Sequence, residues 1–346
     1  MPTFKGPRLT ITAPRTIEYL DHTISTDDLG PDAVVVKTRY TLISPGTEGA
    51  IYSGENKRVY ERGAWCEYPF NSGYANLGEV VWCGQAVKRF AVGDVVFTTK
   101  KHGAFYAVDT TNDIVVKVTP DQARPRTLLA RMACISVTAP LLSARTLGAS
   151  VLVYGLGAVG NLAAQLYAIG GSIVVGVDPN PVRRRIADES GIAATCGPDS
   201  DEIRATLARI GLEQKADIVV DAVGVPDLDL ETAPFTQRNG EYILLGSPKL
   251  ESTKSALDFF RYVHLNVVSV IGAIETAIPD HAGPGEISRE KNLALMVRLI
   301  AQDRLKADRL LSHVLPYERA REGYEGLIDK QDEFTGVVLD WSGGES

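Results

Sequence analysis

The stretch Val151-Leu-Val-Tyr-Gly155-Leu-Gly157-Ala-Val-Gly160 decides the fold of this chain. Its apolar residues lead directly into a cluster of glycines. Residues 161–170 then carry apolar side chains at helical spacing, and Ile173-Val-Val-Gly-Val-Asp178 is a second short apolar run that ends in an aspartate. This pattern predicts a strand, a tight turn, a helix and a second strand.

The glycines of this turn have separate physical roles in a dinucleotide site. Gly155 permits the sharp turn, Gly157 lets the backbone approach a pyrophosphate, and Gly160 lets the helix pack close to the strand. The phosphates would lie at the N-terminus of the helix, where free N–H groups favour negative charge. An ordinary turn of an α/β protein is the alternative interpretation. The residues predicted to contact the dinucleotide here are Gly155, Leu156, Gly157, Ala158, Val159 and Gly160.

The aspartate that ends the second strand predicts which dinucleotide binds. Asp178 lies 23 residues beyond Gly155, and the acid that binds the adenosine ribose is expected about 20 residues on. Its carboxylate would accept hydrogen bonds from the ribose hydroxyls and repel a 2′-phosphate, so we predict NAD as the cofactor. Arg183, Arg184 and Arg185 follow, and any of them could bind a phosphate, although a solvated helix face is the other interpretation. We include Arg183 in the predicted site.

Length and composition favour a soluble globular protein of two domains. The chain has 346 residues, of which 45% are hydrophobic and 23% are charged, as in ordinary globular proteins. A net charge of −7 argues against a nucleic-acid partner, which requires a basic face. No apolar run is long enough to cross a membrane, and residues 1–7 lack the apolar core of a signal peptide. We therefore expect a cytoplasmic protein with a small-molecule substrate and no membrane partner.

The rest of the chain predicts two kinds of architecture. Between residues 8 and 117, short β-type runs with glycine-bearing turns predict a compact, barrel-like β unit. A helical pattern over 128–147 leads to the glycine turn. After Asp178 a helix is predicted over 181–191, and near-continuous β-branched runs alternate with helix-length segments, which is typical of a parallel sheet covered on both faces. A long amphipathic helix is predicted over 289–305.

Three of these later runs end in glycine, at residues 224, 246 and 272. Ligands of a doubly wound sheet lie across the carboxyl ends of its strands. We therefore add Val223, Gly224, Gly246 and Ser247 to the predicted cofactor site. The predicted domains are a dinucleotide-binding domain at 136–275 and a substrate domain at 1–135 and 276–346.

Several of these motifs together resemble the medium-chain dehydrogenases, the alcohol dehydrogenase-like family. The resemblance is carried by the glycine turn, by Gly176-Val-Asp178, by Asp221-Ala-Val-Gly224 and by the tail over 311–324. In addition, Ser44-Pro-Gly-Thr-Glu48 looks like the family's Cys-Gly-Thr-Asp turn. The resemblance covers essentially the whole chain. It implies an α/β fold in which a doubly wound parallel Rossmann sheet is joined to a mostly β, GroES-like barrel domain.

The chain departs from this family at the positions of the catalytic zinc ligands. The resemblance places Pro45 where a Cys ligand stands, and Tyr74 where a His ligand stands. Cys134 alone falls near the third position. Proline cannot bind a metal, and one thiol does not make the three-ligand site that a catalytic zinc needs. We expect no bound metal, and the sequence is similar to zinc-free members such as the bacteriochlorophyllide dehydrogenases.

Without zinc, side chains must move the proton that accompanies hydride transfer. The resemblance places Thr47 at the position of a proton-relaying hydroxyl, and Tyr74 where the zinc-binding imidazole would point into the cleft. A tyrosine whose pKa is lowered by a nearby cation can act as a general acid or base. An aromatic ring that fills the volume of the metal site is the alternative role of Tyr74, and a capping or ion-paired carboxylate is the alternative for Glu48.

Other residues near this predicted centre have supporting or undecided roles. Lys100, Lys101 or His102 could tune the catalytic groups, although a structural or surface role is favoured for His102. The matching family position implies that Thr138 packs near the nicotinamide. The segment 51–70 is both aromatic and charged, a mixture that suits a polyhydroxylated or ring-bearing substrate but also an ordinary surface loop. Residues 267–274 resemble the edge strand through which family members pair, so a homodimer is expected.

The leading hypothesis is a zinc-independent, NAD-dependent oxidoreductase that interconverts a secondary alcohol and a ketone on a cyclic or polyhydroxylated metabolite. One alternative is an NAD(P)H-dependent reductase of an activated C=C bond, of the quinone or enoyl reductase kind, since a conjugated carbonyl needs no metal. Asp178 favours the dehydrogenase over this alternative. Another alternative is an NAD-binding protein that has lost catalysis.

Overall fold

The strand, turn, helix and strand expected around the glycine cluster are present in the computed structural model, which describes residues 2–248, 252 and 254–343. Its contacts divide the chain into two units. The first consists of Met1–Arg131, Ile278–Ala301 and Leu310–Ser346, and the second of Met132–Ala277 and Gln302–Arg309. The short segment 302–309 was assigned from the sequence to the substrate domain. In the structure the backbone N–H of Lys306 donates to Gln165 of the second unit.

The strands of the described chain are, in order, β1 (Thr3–Ala13), β2 (Thr16–Ser25), β3 (Ala33–Ile43), β4 (Phe70–Asn71), β5 (Asn76–Cys83), β6 (Val95–Thr98), β7 (Phe105–Asp109), β8 (Val115–Val118), β9 (Ser150–Tyr154), β10 (Ile173–Val177), β11 (Ala194–Cys196), β12 (Ala216–Asp221), β13 (Thr236–Leu244), β14 (Ser269–Gly272), β15 (His313–Pro316) and β16 (Val337–Asp340). The α-helices are α1 (Thr47–Ser53), α2 (Ala130–Ser136), α3 (Thr138–Leu142), α4 (Ala158–Ile169), α5 (Pro181–Glu189), α6 (Ser200–Arg209), α7 (Pro226–Thr232), α8 (Leu257–Asn266), α9 (Arg289–Ala301) and α10 (Ala320–Asp329).

The second unit contains the predicted parallel sheet. Its six strands lie in the order β11-β10-β9-β12-β13-β14, and each neighbouring pair is parallel. The chain leaves β9 toward one edge and returns to pair β12 with its other side. This reversal of strand order is the switch point at which doubly wound sheets bind dinucleotides.

Alternate residues of β9 enter two different cores, which covers both faces of the parallel sheet. Val151 and Val153 pack with Tyr167 of α4, whereas Leu152 and Tyr154 pack with Leu207 of α6. Successive side chains of a strand point to opposite faces, so a strand buried on both sides must be apolar throughout. This explains why the sequence before Gly155 is a continuous apolar run.

The first unit is mostly antiparallel. A seven-stranded sheet has the order β15-β16-β3-β5-β6-β8, with β7 also paired to β3, and a smaller sheet has the order β2-β1-β4. The pairs of β3 with β5, β7 and β16 are antiparallel, and β15 with β16 is parallel. The predicted fold class, a parallel Rossmann sheet with a separate mostly β domain, is confirmed.

Two predicted helices are longer than those observed. The helix expected to reach residue 147 ends at Leu142, because Glu241 binds the Ser143 hydroxyl and the N–H of Ala144 and holds this segment extended. The helix expected to reach residue 305 ends at Ala301, and Asp303 has the positive φ of 54° that stops helical continuation. The sequence patterns also missed most of the β1–β2 hairpin, which pairs residues 3 and 25.

None of the helices in the described residues is long and apolar enough to cross a membrane.

We expect Leu207→Ala to destabilise the second unit by about 2–5 kcal/mol, because it opens a cavity in a fully buried core. Leu147→Ala is the matched control, since Leu147 is 86% exposed and its loss should change stability by less than about 0.5 kcal/mol. Urea unfolding followed by circular dichroism measures both values. Equal effects of the two substitutions would contradict the assigned core.

Candidate cofactor and active sites

The glycine turn after β9 has the geometry that a dinucleotide needs. Gly155 has φ +85°, a conformation that side chains rarely adopt. A Cβ at Gly160 would lie 1.8 Å from the carbonyl oxygen of Gly155, so only glycine permits α4 to approach the turn this closely. The space next to Gly157 is open, with no atom within 4 Å of a Cβ built there. The N-terminus of α4 has no side-chain cap, which leaves its N–H groups available to an anion. The turn therefore fits a pyrophosphate.

Asp178 is held in place by the backbone of this turn. Its Oδ2 accepts a hydrogen bond from the N–H of Leu156 at 2.7 Å, and its Oδ1 accepts one from the N–H of Asn180 at 2.8 Å. Arg183 extends an Nη1 to 3.7 Å from Oδ2. Arg184 instead donates to the carbonyl oxygens of Asp178 and Pro179, and Arg185 lies 4.0 Å from Glu189. Of the three arginines, Arg183 is the one beside the carboxylate.

The predicted residues after β12 and β13 are brought together by Asp221. Its carboxylate accepts hydrogen bonds from the N–H groups of Val223 and Gly224, and its backbone carbonyl accepts from the N–H of Gly246 at 2.8 Å. The carbonyl of Ser247 lies directly against Gly224. These turns follow the carboxyl ends of adjacent parallel strands, as the sequence predicts. Their contact with a cofactor remains a prediction.

Thr138 is buried at the start of α3. Its hydroxyl donates to the carbonyl of Cys134 at 3.4 Å. The Cys134 side chain is itself 2% exposed, consistent with a small core residue. The predicted position of Thr138 beside the nicotinamide is not tested by these contacts.

In the first unit, the structure brings the predicted catalytic residues into one cluster. The Tyr74 hydroxyl donates a hydrogen bond to Oγ of Ser44, and the Thr47 side chain is a further hydrogen-bond partner of Tyr74. Ser44 in turn donates its backbone N–H to Oε1 of Glu48 at 3.0 Å. Ser44 was missed as a site residue because the sequence analysis used it only as part of the turn motif and gave its hydroxyl no role.

Glu48 is the centre of a buried network. Its Oε2 accepts hydrogen bonds from the hydroxyls of Ser72 and Tyr324 and lies 2.9 Å from Nε2 of His102. The Glu48 and His102 residues are 1% and 0% exposed. Burial would favour the neutral acid, but the charge of His102 and the hydrogen bonds from His102, Ser72 and Ser44 outweigh it and lower the pKa of Glu48.

Burial, followed by the negative charge of Glu48, raises the pKa of Tyr74. The cation beside it is Arg131, whose guanidinium carbon lies 5.0 Å from the centre of the Tyr74 ring, and Arg131 offsets only part of this effect. The expectation that a cation lowers the pKa of Tyr74 below its usual value is therefore wrong. The Tyr74 hydroxyl keeps its proton at neutral pH, which suits a proton donor better than a base.

The three residues predicted to tune this centre have different environments. Lys100 forms an ion pair with Asp113 at 2.7 Å, and Lys101 lies over the ring of Phe70. Only His102 contacts a predicted catalytic residue, Glu48. Among residues that the sequence analysis did not select, Ser72, Tyr324 and Arg131 belong to the cluster. No local sequence pattern identifies these three residues as part of the site. Tyr324, for example, is 276 positions away from Glu48.

The side chains at the positions expected for zinc ligands do not fit a catalytic zinc. Pro45 has no ligating atom, and the Tyr74 hydroxyl is already hydrogen-bonded to Ser44. Within the described residues there is no group of three or more His, Cys, Asp or Glu side chains that could hold a metal ion. That no metal is bound nevertheless remains a prediction, because it is inferred only from the residue types at the expected ligand positions.

Comparisons with known proteins agree with the fold of this chain. Residues 158–284 match the family described as zinc-binding dehydrogenase. The chain is 23% identical to a D-guloside 3-dehydrogenase from Escherichia coli K12, over 94% of this chain and 97% of that protein. The solved L-idonate 5-dehydrogenase from Escherichia coli K-12 has a TM-score of 0.80 at 15% identity, covering 98% of this chain and 99% of that one. A protein described as a short chain alcohol dehydrogenase from Escherichia coli CFT073, solved with NADH, has a TM-score of 0.78 at 17% identity, covering 97% of this chain and 99% of that one.

An open parallel sheet with a glycine turn at its switch point is typical of dinucleotide-binding domains. Together with the dehydrogenase relatives and the solved neighbours that hold NADH or NADP, it indicates a nicotinamide-dependent, alcohol dehydrogenase-like oxidoreductase. Over nearly its whole length the chain is similar to members of the medium-chain dehydrogenase/reductase family.

We expect Glu48→Gln to destabilise the protein by about 2 kcal/mol at pH 7, because charge-assisted hydrogen bonds are replaced by weaker ones. The folded-state pKa of Glu48 is lowered, so its stabilisation is present above the unfolded value of about 4.3 and is lost as pH falls through the folded value. The difference between wild type and Glu48→Gln should therefore shrink at acidic pH. Denaturant unfolding at several pH values measures it, and a difference independent of pH would contradict a charged Glu48.

Proposed function

We propose that this protein is a zinc-independent, NAD-dependent oxidoreductase that interconverts a secondary alcohol and a ketone on a cyclic or polyhydroxylated metabolite. The observation that carries the proposal is the hydroxyl cluster of Tyr74, Ser44 and Thr47 beside the buried Glu48 carboxylate. It occupies the part of the chain in which related enzymes would hold a metal. A protonated hydroxyl can supply what the metal would otherwise provide, which is stabilisation of charge on the reacting oxygen.

Asp178 supports NAD as the cofactor. The carboxylate is fixed at the end of β10 by the N–H groups of Leu156 and Asn180, where it would accept the ribose hydroxyls and repel a 2′-phosphate. The nearby Arg183 offsets part of that repulsion, but it lies 3.7 Å from Asp178 and would first have to leave this carboxylate. When bound, the dinucleotide supplies or accepts the hydride. The protein contributes the anion site at α4 and the ribose site at Asp178.

Tyr74 is proposed to move the proton. In the direction of ketone reduction, its hydroxyl donates a proton to the carbonyl oxygen as hydride reaches the carbon, and the new O–H bond completes the alcohol. In the reverse direction the proton returns to the tyrosine oxygen. Ser44 and Thr47 hold the hydroxyl through hydrogen bonds, while Glu48 fixes the backbone of Ser44. Glu48 is thus proposed to position the catalytic group.

The relatives support a polyhydroxylated substrate. One is a D-guloside 3-dehydrogenase that aligns over 94% of this chain, and a structural neighbour is an L-idonate 5-dehydrogenase. Both of those proteins are named for oxidation at a secondary carbon of a sugar derivative. The structural likeness by itself supports only the fold. The aligned relative and the metal-free hydroxyl cluster together favour this chemistry for the present chain.

A cytoplasmic homodimer is also part of the proposal. The strand β14 is at the edge of the parallel sheet, and Val270 and Ile274 are 41% and 62% exposed. An exposed apolar edge strand is a surface that a second copy can cover by antiparallel pairing.

For the cofactor, we expect Asp178→Ala to weaken NADH binding by about tenfold or more, because hydrogen bonds to a charged carboxylate are lost. The preference for NADH over NADPH should also fall. Asp201→Ala is the matched control, since Asp201 is an exposed carboxylate of the same unit. Titration of nicotinamide fluorescence measures the affinities. A wild-type preference for NADPH would instead shift the assignment to a reductase of activated C=C bonds.

For the proton donor, we expect Tyr74→Phe to lower kcat by about 100-fold or more with little change in NADH affinity. Tyr40→Phe, a half-buried tyrosine of the same unit, is the control. Steady-state assays on panels of polyols, glycosides and ketones measure the effect, and prior dialysis against a chelator should leave activity unchanged. A fully active Tyr74→Phe protein would mean that the ring only packs, and chelator-sensitive activity would contradict zinc independence. An NADH-binding protein with no turnover on any panel would favour the non-catalytic alternative.

A further inference from the structure

An exposed tryptophan projects from a well-anchored loop in the first unit. Trp65 is 58% exposed, although exposing an indole to water is unfavourable. A backbone hydrogen bond fixes its position: the N–H of Glu67 donates to the carbonyl of Ala64 at 3.0 Å, which closes a turn that contains Trp65. The side chain of Trp65 is therefore exposed on a turn whose backbone is held by a hydrogen bond.

The core of the unit anchors this loop on both sides of the tryptophan. Val59 and Cys66 are buried in the same hydrophobic cluster, and the N–H of Tyr68 donates to the carbonyl of Val59 at 3.2 Å. Asn56 caps the short helical turn before it by accepting from the N–H of Arg58. Because Cys66 points into the core and Trp65 does not, the loop presents the indole outward.

Trp65 forms one side of an aromatic corner. Its ring centre lies 5.9 Å from that of Phe70, and the two ring planes are nearly perpendicular at 81°. A corner of two rings offers a face against which the C–H groups of a flat, hydroxylated ring can pack, while the hydroxyls remain free for hydrogen bonds. Tryptophan and other large aromatics are typical of ligand sites for this reason.

A positive charge lies beside this corner. The Nζ of Lys101 is 5.5 Å from the centre of the same Phe70 ring, so the indole and the ammonium are neighbours of one phenyl group. Burial and the charge of Arg8 lower the pKa of Lys101, although much of its side chain is exposed. Among the described residues, no ion pair joins Lys101 or Arg8 to a carboxylate. Two cations that repel each other without a counter-ion favour the binding of an anion.

The corner is linked through the chain to the proposed active centre. Phe70 is two residues before Ser72, which donates to Glu48, and Lys101 immediately precedes His102, which also contacts Glu48. The backbone carbonyl of Lys101 accepts a hydrogen bond from Asn76 at 3.2 Å. A ligand group bound at the corner would therefore lie at a fixed position relative to the hydrogen bonds around Glu48 that position Tyr74.

We propose that Trp65, Phe70 and Lys101 form a subsite for an anionic sugar derivative, in which the sugar packs on the indole and a carboxylate or phosphate binds Lys101. Arg8 adds to the positive potential. This inference rests on the proposed function and narrows its substrate class from polyhydroxylated compounds in general to those that carry a negative charge. It also gives a role to two aromatic residues of the segment 51–70, Trp65 and Phe70.

The test uses the full-length protein without nicotinamide and follows tryptophan fluorescence. The probes are hexuronates and aldonates, hexose phosphates, and as neutral partners the methyl hexosides and hexitols of matched stereochemistry. We expect an anionic probe to change the fluorescence with at least fivefold tighter binding than its neutral partner. A response confined to the carboxylates or to the phosphates identifies which anion the subsite takes.

Two variants assign the signal to the subsite. Lys101→Gln should weaken binding of the anionic probe by about tenfold and leave the neutral partner within twofold, whereas Lys88→Gln, at another exposed lysine of this unit, should change neither. Trp65→Phe should abolish the fluorescence response, and Trp82→Phe should preserve it. Trp65 and Lys101 are both exposed, so Trp65→Phe and Lys101→Gln are expected to fold.

Three results would overturn the subsite. They are equal affinity of wild type for anionic and neutral partners, an anion preference that survives Lys101→Gln, and the absence of any Trp65 response in a protein that binds NADH. The proposed dehydrogenase activity is tested by separate measurements, namely NADH affinity and the Tyr74→Phe assay. Failure of the subsite is therefore distinguishable from failure of the proposed function.

Discussion

The first unit depends on the burial of one carboxylate, that of Glu48. Removing a carboxylate from water is costly unless charged or hydrogen-bonded partners replace the solvent. Glu48 obtains such partners from the backbone of Ser44, the hydroxyls of Ser72 and Tyr324, and the imidazole of His102. These donors come from four separate parts of the chain. Satisfying one charge therefore fixes the turn that carries Thr47, the segment that carries Tyr74, and helix α10 of the C-terminal region.

In the second unit, two buried aspartates fix the backbone through hydrogen bonds in a similar way. Asp178 accepts the N–H of Leu156 and thereby joins the end of β10 to the glycine turn after β9. Asp221 accepts the N–H groups of its own turn, and its backbone carbonyl binds the turn after β13. Because the carboxyl ends of parallel strands lie at one edge of the sheet, these acids hold four neighbouring loops in place, two by two, at the switch point. Buried acids organise the backbone at both proposed sites, and in this they differ from surface charges, which contribute little.

How far each site could be predicted depends on how local its contacts are. Gly155 and Asp178 are separated by one strand and one helix, so covalent spacing alone brings them together, and the sequence predicts the fold around them. The partners of Glu48 have no such regular spacing. Tyr324 is 276 positions away from Glu48, and the main part of the second unit lies between them in the sequence. The raised pKa of Tyr74 could not be foreseen either, since it results from burial and from a carboxylate. Strand β2 was missed because five of its ten residues are exposed and one is buried, which gives no clear alternation.

The residue types in the cluster around Tyr74 determine how the proposed zinc-independent reaction would work. A zinc site concentrates positive charge at the reacting oxygen, whereas the cluster here contains a negative charge and several hydroxyls. That negative charge strengthens the retention of a proton by Tyr74, because it disfavours the phenolate. Arg131, which faces the ring of Tyr74, is a positive charge beside this cluster. In the proposed reaction the site would stabilise an alkoxide by giving it a proton, where a metal would stabilise it by coordination. Under that proposal, proton donation, and with it the geometry of the Tyr74 hydroxyl, is the principal contribution of the protein to the reaction.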